Sequence, residues 1–346
     1  VPTATSAATF HAYELDKEFA IKSLAVKERH TEPLQRGEVR IKIHAVSLNF
    51  RDLMMVKGTY NPKLRFPFTP CSDGVGEVVD VGEGVSRFKI GDRVSGIFMP
   101  RWLGGKVTEV AARSALGGGG NGMLSQSVVL HEDGMVSVPE HLSYEEAATL
   151  PCAALTAWNA LIESGKLRPG ETVLTLGTGG VSIFAVQIAL LNGASVIGTS
   201  SNAEKLERLK KLGVKHVINY KENPNWGKAV LELTGGRGVD HVVEVGGAGT
   251  LANSIQATAI GGQVSVIGAL TGKDTEVDVR GILMKTMRVQ GIFVGSREMF
   301  ENMNAAIRLH QLKPIVDKVF AFDQAIEAFQ YMESGSHFGK VVIKVS

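Results

Sequence analysis

Two rhythms of apolar residues divide the chain. Over residues 10–138 short runs alternate apolar with polar and are broken by glycine and proline, the signature of β-structure. Residues 39–46 (VRIKIHAV) show it best, with Val39, Ile41, Ile43 and Ala45 on one face and Arg40, Lys42 and His44 on the other. His44 therefore reads as a solvated strand residue. Residues 74–81 and 93–97 predict further strands, and Gly82, Gly84, Gly91 and Asp92 mark the turns between them. Many short strands with frequent turns predict a partly closed barrel. Residues 99–122 hold Gly117, Gly118, Gly119, Gly120 and Gly122 without any period, and read as a flexible surface loop or lid. Ser143 and Glu146 form a capping box ahead of an apolar helical stretch over residues 149–162, the expected seam between domains.

From residue 172 the rhythm changes. A β-prone run (172–176), a glycine turn, an apolar helical segment (182–191) closed by Gly193 and a second β-prone run (195–199) make one βαβ unit. A capping box from Ser201 to Glu204 then opens a helix striped by Leu206, Leu209 and Leu212. Strands are predicted at 216–219, 240–245, 263–268 and 289–293, with helices between. Such alternation predicts an α/β fold with a doubly wound parallel sheet. Beyond Gly295 a helix (297–310), a strand (318–320), a helix (323–332) and a strand (340–345) break the rhythm. That tail is expected to pack back on the N-terminal domain. The predicted domains are 1–152, 153–295 and the returning segment 296–346.

Composition narrows the function classes. The 346 residues carry a formal net charge of +2 and 6% aromatics, so neither nucleic acid nor an acidic membrane is an expected partner. Two cysteines, Cys71 and Cys152, exclude a disulfide framework and fit a reducing, cytoplasmic compartment. No run is long enough to span a membrane. Residues 1–9 (VPTATSAAT) lack the basic and apolar regions of a secretory signal and read as a frayed end.

The βαβ context turns a weak glycine pattern into a dinucleotide-binding fingerprint. Gly177 permits the tight turn and Gly179 leaves room for a pyrophosphate at the helix N-terminus. Gly177, Thr178, Gly179, Gly180, Val181 and Ser182 are the expected phosphate-binding residues. Ser182 stands where the pattern usually has a third glycine or alanine.

These residues, with Leu48-Asn49-Phe50-Arg51-Asp52, residues 73–79 (DGVGEVV), Gly91-Asp92-Arg93-Val94, residues 150–157, residues 293–297 and residues 339–343, resemble the medium-chain dehydrogenase/reductases, in the zinc-free branch near the quinone oxidoreductases and zinc-type alcohol dehydrogenase-like proteins. The resemblance implies a GroES-like β-barrel domain, a Rossmann domain and a homodimer. It also places Asn49, Ser72 and Cys152 at the positions that hold catalytic zinc in zinc alcohol dehydrogenases. An amide, a hydroxyl and one thiol are not a zinc shell, so no metal is expected. Cys152 reads as a packing residue, and Arg51 with Asp52 as a structural pair.

The second strand of the βαβ unit ends in Thr199-Ser200-Ser201, without the carboxylate that binds the ribose of NAD. The resemblance assigns Ser200, Ser201, Lys205 and Tyr220 to the 2′-phosphate of NADP(H). It sets Thr156, Gly246, Gly268, Phe293, Val294 and Gly295 along the nicotinamide half of the cleft, with Phe338 and Lys340 approaching the cofactor from the tail. Tyr60 and Asn49 are the candidate catalytic donors, Asn49 also as a cofactor contact. Without a metal, the expected substrate spreads the incoming charge itself, as a quinone or an α,β-unsaturated carbonyl does. A zinc-free alcohol or ketone dehydrogenase and a non-catalytic NADPH binder are the alternatives.

Overall fold

A computed structural model of the chain describes residues 8–118, 122–268, 270 and 276–346. The frayed end expected over residues 1–9 thus falls largely outside the described residues, as do Gly119 and Gly120 of the glycine run. The N-terminal stretch holds strands β1 (Thr9–Glu14), β2 (Ala25–His30), β3 (Glu38–Leu48), β4 (Asp73–Val81), β5 (Arg93–Gly96), β6 (Ser127–His131) and β7 (Met135–Ser137). The middle holds β8 (Thr172–Leu176), β9 (Ser195–Ser200), β10 (His216–Asn219), β11 (Val239–Glu244), β12 (Thr258–Val266) and β13 (Arg288–Gly291). Strands β14 (Val316–Ala321) and β15 (Lys340–Lys344) follow. The chain forms two compact units, Val1–Cys152 with Gly295–Ser346, and Ala153–Val294.

In the first unit a seven-stranded sheet runs β14-β15-β3-β4-β5-β7, with β6 also on β3. Strand β3 is its spine. It pairs antiparallel with β4 along one edge; on the other it pairs with β6 over Glu38–Lys42 and then with β15 over Ala45–Leu48. The alternating face Val39, Ile41, Ile43 and Ala45 is buried, and Val39, Ile41 and Ile43 pack in a core with Phe68, Phe329 and Val341. Each such side chain contributes about 1.5–3 kcal/mol by leaving water. His44 is not simply solvated: its ring stacks on Tyr144 with centroids 4.2 Å apart, and burial lowers its pKa.

The second unit is a six-stranded parallel sheet, β10-β9-β8-β11-β12-β13, the order of a doubly wound dinucleotide fold. Its strands are largely buried, and Leu174, Ile197, Val242 and Val264 share one core. The helix Gly180–Leu191 buries most of its residues, as a helix lying on a sheet should. One predicted start moves. The helix Ala203–Lys211 is capped by Asn202, whose side chain accepts the Lys205 N–H at 3.0 Å, and not by Ser201. Asparagine is as good a cap as serine and sits one residue nearer the helix.

The segment 99–122 is not a free lid in its described part. Residues 103–110 are exposed, but Met99, Trp102 and Leu116 are buried and a short helix spans Glu109–Ala112. The glycines serve close approach. A Cβ on Gly117 would lie 2.6 Å from the Cys71 carbonyl carbon, and one on Gly122 would lie 1.9 Å from the Thr69 carbonyl oxygen. We expect Gly122→Ala to destabilise the protein by about 1–3 kcal/mol through overpacking. An unchanged urea midpoint would show that the strap yields freely.

Candidate functional site

The phosphate-binding turn stands as a bare cradle. Gly177 has φ +71°, and Cβ atoms built on Gly177 and Gly179 meet nothing within 4 Å. Gly179 caps the helix Gly180–Leu191 without a side-chain hydrogen bond, and its first turn holds no acidic residue. The N–H groups there suit an anion, so the turn fits a pyrophosphate. Ser182 corrects one expectation: its hydroxyl donates to the Leu176 carbonyl at 2.6 Å and is buried. The hydroxyl ties helix to strand and is not offered to a phosphate. Thr178 is also buried.

The end of β9 meets the end of β10. The Tyr220 N–H donates to the Ser200 carbonyl at 3.2 Å, and the Ser200 hydroxyl accepts the Asn202 N–H at 3.2 Å. Ser200, Ser201 and Tyr220 therefore gather at one edge, with Tyr220 two-fifths exposed and Lys205 in the first turn of the next helix. Farther along the carboxyl ends, Gly246 follows a residue that the sequence reading missed. The buried Glu244 carboxylate accepts the Gly246 N–H at 2.7 Å, the Gly247 N–H at 2.9 Å, the Thr250 hydroxyl at 2.6 Å and the Ser254 hydroxyl. Glycines after a strand-end acid, then Thr250 and Ser254, were the available signal. Gly268 passes so near Val245 that a Cβ would lie 2.1 Å from its carbonyl oxygen. Thr156 is buried, Phe293 is exposed, and Val294, at φ +53°, is held through its carbonyl by the Asn159 amide at 2.8 Å. Gly295 belongs to the first unit.

That unit carries a buried polar chain. Lys340 Nζ donates at 2.5 Å to both the Leu48 carbonyl and Asn49 Oδ1. Asn49 Nδ2 donates to Ser72 Oγ at 3.4 Å, and Ser72 Oγ donates to Asp73 Oδ1 at 2.7 Å. Asp73 Oδ2 accepts the Cys152 N–H at 3.0 Å. An ammonium has only donors, so it fixes which end of the Asn49 amide is oxygen. Every link then points from cation to carboxylate. Beside it, Asp52 Oδ2 accepts the Asn49 N–H at 2.8 Å. Burial, then the nearby Asp73, raises the Asp52 carboxyl to about 6; burial also raises Asp73, against the pull of Lys340.

Lys340 and Phe338 are buried, and the Lys340 ammonium bonds Leu48 and Asn49. One expectation changes here. Arg51 does not pair with Asp52: its Nη1 donates to the Leu116 carbonyl at 2.8 Å. Tyr60 stands half exposed just beyond the helix Phe50–Val56, its ring 5.4 Å from the Arg51 guanidinium.

Zinc does not fit these groups. The Asn49 oxygen faces an ammonium, the Ser72 proton goes to Asp73, and burial, then Asp73, pushes the Cys152 thiol well up, away from thiolate. Among the described residues no group of three or more His, Cys, Asp or Glu is placed to hold a metal ion. If Lys340 is the cation that offsets the buried carboxylates, Lys340→Met should cost about 3 kcal/mol of stability in urea unfolding. An unchanged midpoint would dismiss the network.

Residues 35–140 match the alcohol dehydrogenase GroES-like domain family, and residues 180–308 the zinc-binding dehydrogenase family. A zinc-type alcohol dehydrogenase-like protein of Schizosaccharomyces pombe is 48% identical, over 90% of this chain and 92% of its own length. The quinone oxidoreductase of Rattus norvegicus is 29% identical over 89% of each. Among solved structures, an NAD-dependent alcohol dehydrogenase superposes with TM-score 0.89 at 33% identity, covering 97% of this chain and all of that one. A 2-octenoyl-CoA carboxylase reductase bound to NADP and 2-octenoyl-CoA gives 0.85 at 25% identity, covering 97% of this chain and 87% of that one. The chain belongs to the medium-chain dehydrogenase/reductase superfamily of oxidoreductases.

Proposed function

We propose that the protein is a cytoplasmic, NADPH-dependent reductase of quinones or α,β-unsaturated carbonyls that works without a catalytic metal. The observation that carries the reading is the Lys340–Asn49–Ser72–Asp73 chain. It includes Asn49 and Ser72, two of the positions that the resemblance gives to the metal of zinc alcohol dehydrogenases, and its hydrogen bonds leave both unsuited to a Lewis acid. An isolated ketone needs strong stabilisation of one alkoxide oxygen. A quinone or enone delocalises the incoming electrons and asks only for donors and a proton.

NADP(H), when bound, supplies the hydride. The chain's own part is to hold it: the turn from Gly177 to Val181 for the pyrophosphate, Ser200, Ser201, Lys205 and Tyr220 for the 2′-phosphate, and the loops of Gly246, Gly268 and Phe293 for the nicotinamide end. The absence of a carboxylate at the end of β9 supports NADPH; the likeness to an NAD-dependent alcohol dehydrogenase supports the alternative, an alcohol or ketone dehydrogenase. Parallel assays of NADPH and NADH oxidation against a quinone, an enone, an aldehyde and a ketone, with metal analysis of the same protein, separate the two. We expect NADPH with the first two acceptors and no stoichiometric zinc. In Ser201→Asp the new carboxylate should lower kcat/KM for NADPH by about tenfold or more, about 1.4 kcal/mol, with less effect on NADH. Equal effects on both would remove Ser201 from the 2′-phosphate site.

We further propose a homodimer joined through the outer edge of β13. Among the described residues that strand pairs only with β12; Val289 on it and Val279, Leu283 and Met284 on the helix Val279–Met284 before it lie exposed. An open edge flanked by apolar side chains invites pairing with a second copy. Light scattering should give a dimer for the native protein and a monomer for Leu283→Glu/Met284→Glu; a double variant that stays dimeric would move the interface elsewhere.

A further inference from the structure

Glu244 is the last residue of β11, and β11 stands where the strand order of the second unit reverses. From β8 the sheet grows outward through β9 and β10; β11 then lies on the other side of β8 and is followed by β12. A ligand of such a sheet lies in the crevice outside the carboxyl ends of its strands at that reversal. The glycine turn after β8 borders the crevice on one side and the loop after β11 on the other. Glu244 is level with Val266, the last residue of β12, so the loops after β11 and β12 leave the sheet side by side.

Both loops are folded around this one residue. The backbone carbonyl of Glu244 accepts the Ile267 N–H at 2.8 Å and the Gly268 N–H at 3.3 Å. Its Oε1 accepts the Gly246 and Gly247 N–H groups and the Thr250 hydroxyl, and its Oε2 accepts the Ser254 hydroxyl. Glu244 and Ser254 are fully buried. Gly246 leaves no room for a Cβ, which would lie 2.3 Å from Thr250 Oγ1, and Gly247 has φ +87°. The amides of Gly246, Gly247, Ile267 and Gly268 are therefore spent on Glu244 and offer a ligand no N–H. A phosphate asks for N–H groups, and the helix that begins at Gly180 supplies them. The loops after β11 and β12 suit an uncharged part of the ligand that brings its own donors, such as ribose hydroxyls and a carboxamide NH2.

We propose that Glu244 is a positioning residue for the cofactor: it braces both loops, and through them fixes the ribose–nicotinamide half of the dinucleotide. The inference rests on the dinucleotide reading above. Glu244 acts through backbone and touches no reacting atom. The adenosine end lies at the other side of the reversal, at the ends of β9 and β10, and Glu244 has no part in holding it. Loops ordered before the ligand arrives cost no ordering entropy on binding, so loss of the brace weakens the hold on the nicotinamide half alone.

The test uses the full-length protein and two ligands, NADPH and adenosine 2′,5′-bisphosphate, which has the adenosine end without the nicotinamide half. We expect Glu244→Ala to raise the Kd of NADPH about tenfold or more, with the Kd of the bisphosphate changed by less than about twofold. In the NADPH-saturated variant the anisotropy of the nicotinamide fluorescence should fall below that of the native complex. Glu244→Gln keeps an oxygen for the three donors on Oε1 and should recover most of both losses. If Glu244→Ala does not fold, Thr250→Val decides, since it removes one donor and leaves the carboxylate; the Kd of NADPH should rise about threefold and that of the bisphosphate should stay. Equal weakening of both ligands, or an unchanged Kd for NADPH, overturns the proposal. Native protein that prefers NADH overturns the 2′-phosphate reading, and NADH against AMP then decides the role of Glu244 by the same comparison. Native protein that binds neither dinucleotide overturns the cofactor reading and this proposal with it.

Discussion

The register of the last strand on β3 governs the first unit. Val341 lies opposite Leu48 and Val342 opposite Ser47, so Lys340 comes to rest beside Asn49, the first residue after β3. Side chains alternate across a strand, and a slip of one residue would turn that ammonium out of the site. The carboxylates of Asp52 and Asp73 would then stay buried without it. Removing a carboxylate from water costs several kcal/mol even after the protein relaxes. The packing of Val341 and Ile343 into the same core as Ile41 and Ile43 makes such a slip expensive twice over. One five-residue strand at the end of the chain thus fixes the charge balance of a site built by residues near 50 and 72.

The second unit solves the opposite problem. Its ligand surface has to stay empty and electropositive, so the turn at Gly177 and Gly179 presents backbone with open space above it. The neighbouring polar groups are turned inward to make this rigid. Ser182 bonds the preceding strand, and Glu244 gathers two backbone amides and two hydroxyls around one carboxylate. A carboxylate satisfied four times over holds its loop as firmly as an apolar plug would, and it sets the course of Gly246.

The two units therefore distribute their polar groups by different rules. In the second, Ser182 and Glu244 brace the backbone around the glycine turns. In the first the polar groups form a directed chain among side chains.

Most of the architecture was legible along the chain. β8 spans the residues that its apolar run predicts, the helix Arg297–His310 likewise, and a tight turn falls at Gly177 as its glycine predicts. These features follow from local causes: the period of apolar residues, the turn chemistry of glycine and the spacing of a capping box. What pairs with what across the fold was not legible. The sequence places Arg51 beside Asp52, yet the fold gives each a different neighbour. It places Lys340 about 290 residues from Asn49, and only the register of two strands brings them together. Ser182 was readable as small, but which way its hydroxyl points depended on the strand packed beneath it. The sequence by itself determined the elements and their alternation. The tertiary structure alone decided which charges were buried together, because partners distant in sequence are chosen by packing and register, and neither is written in a local pattern.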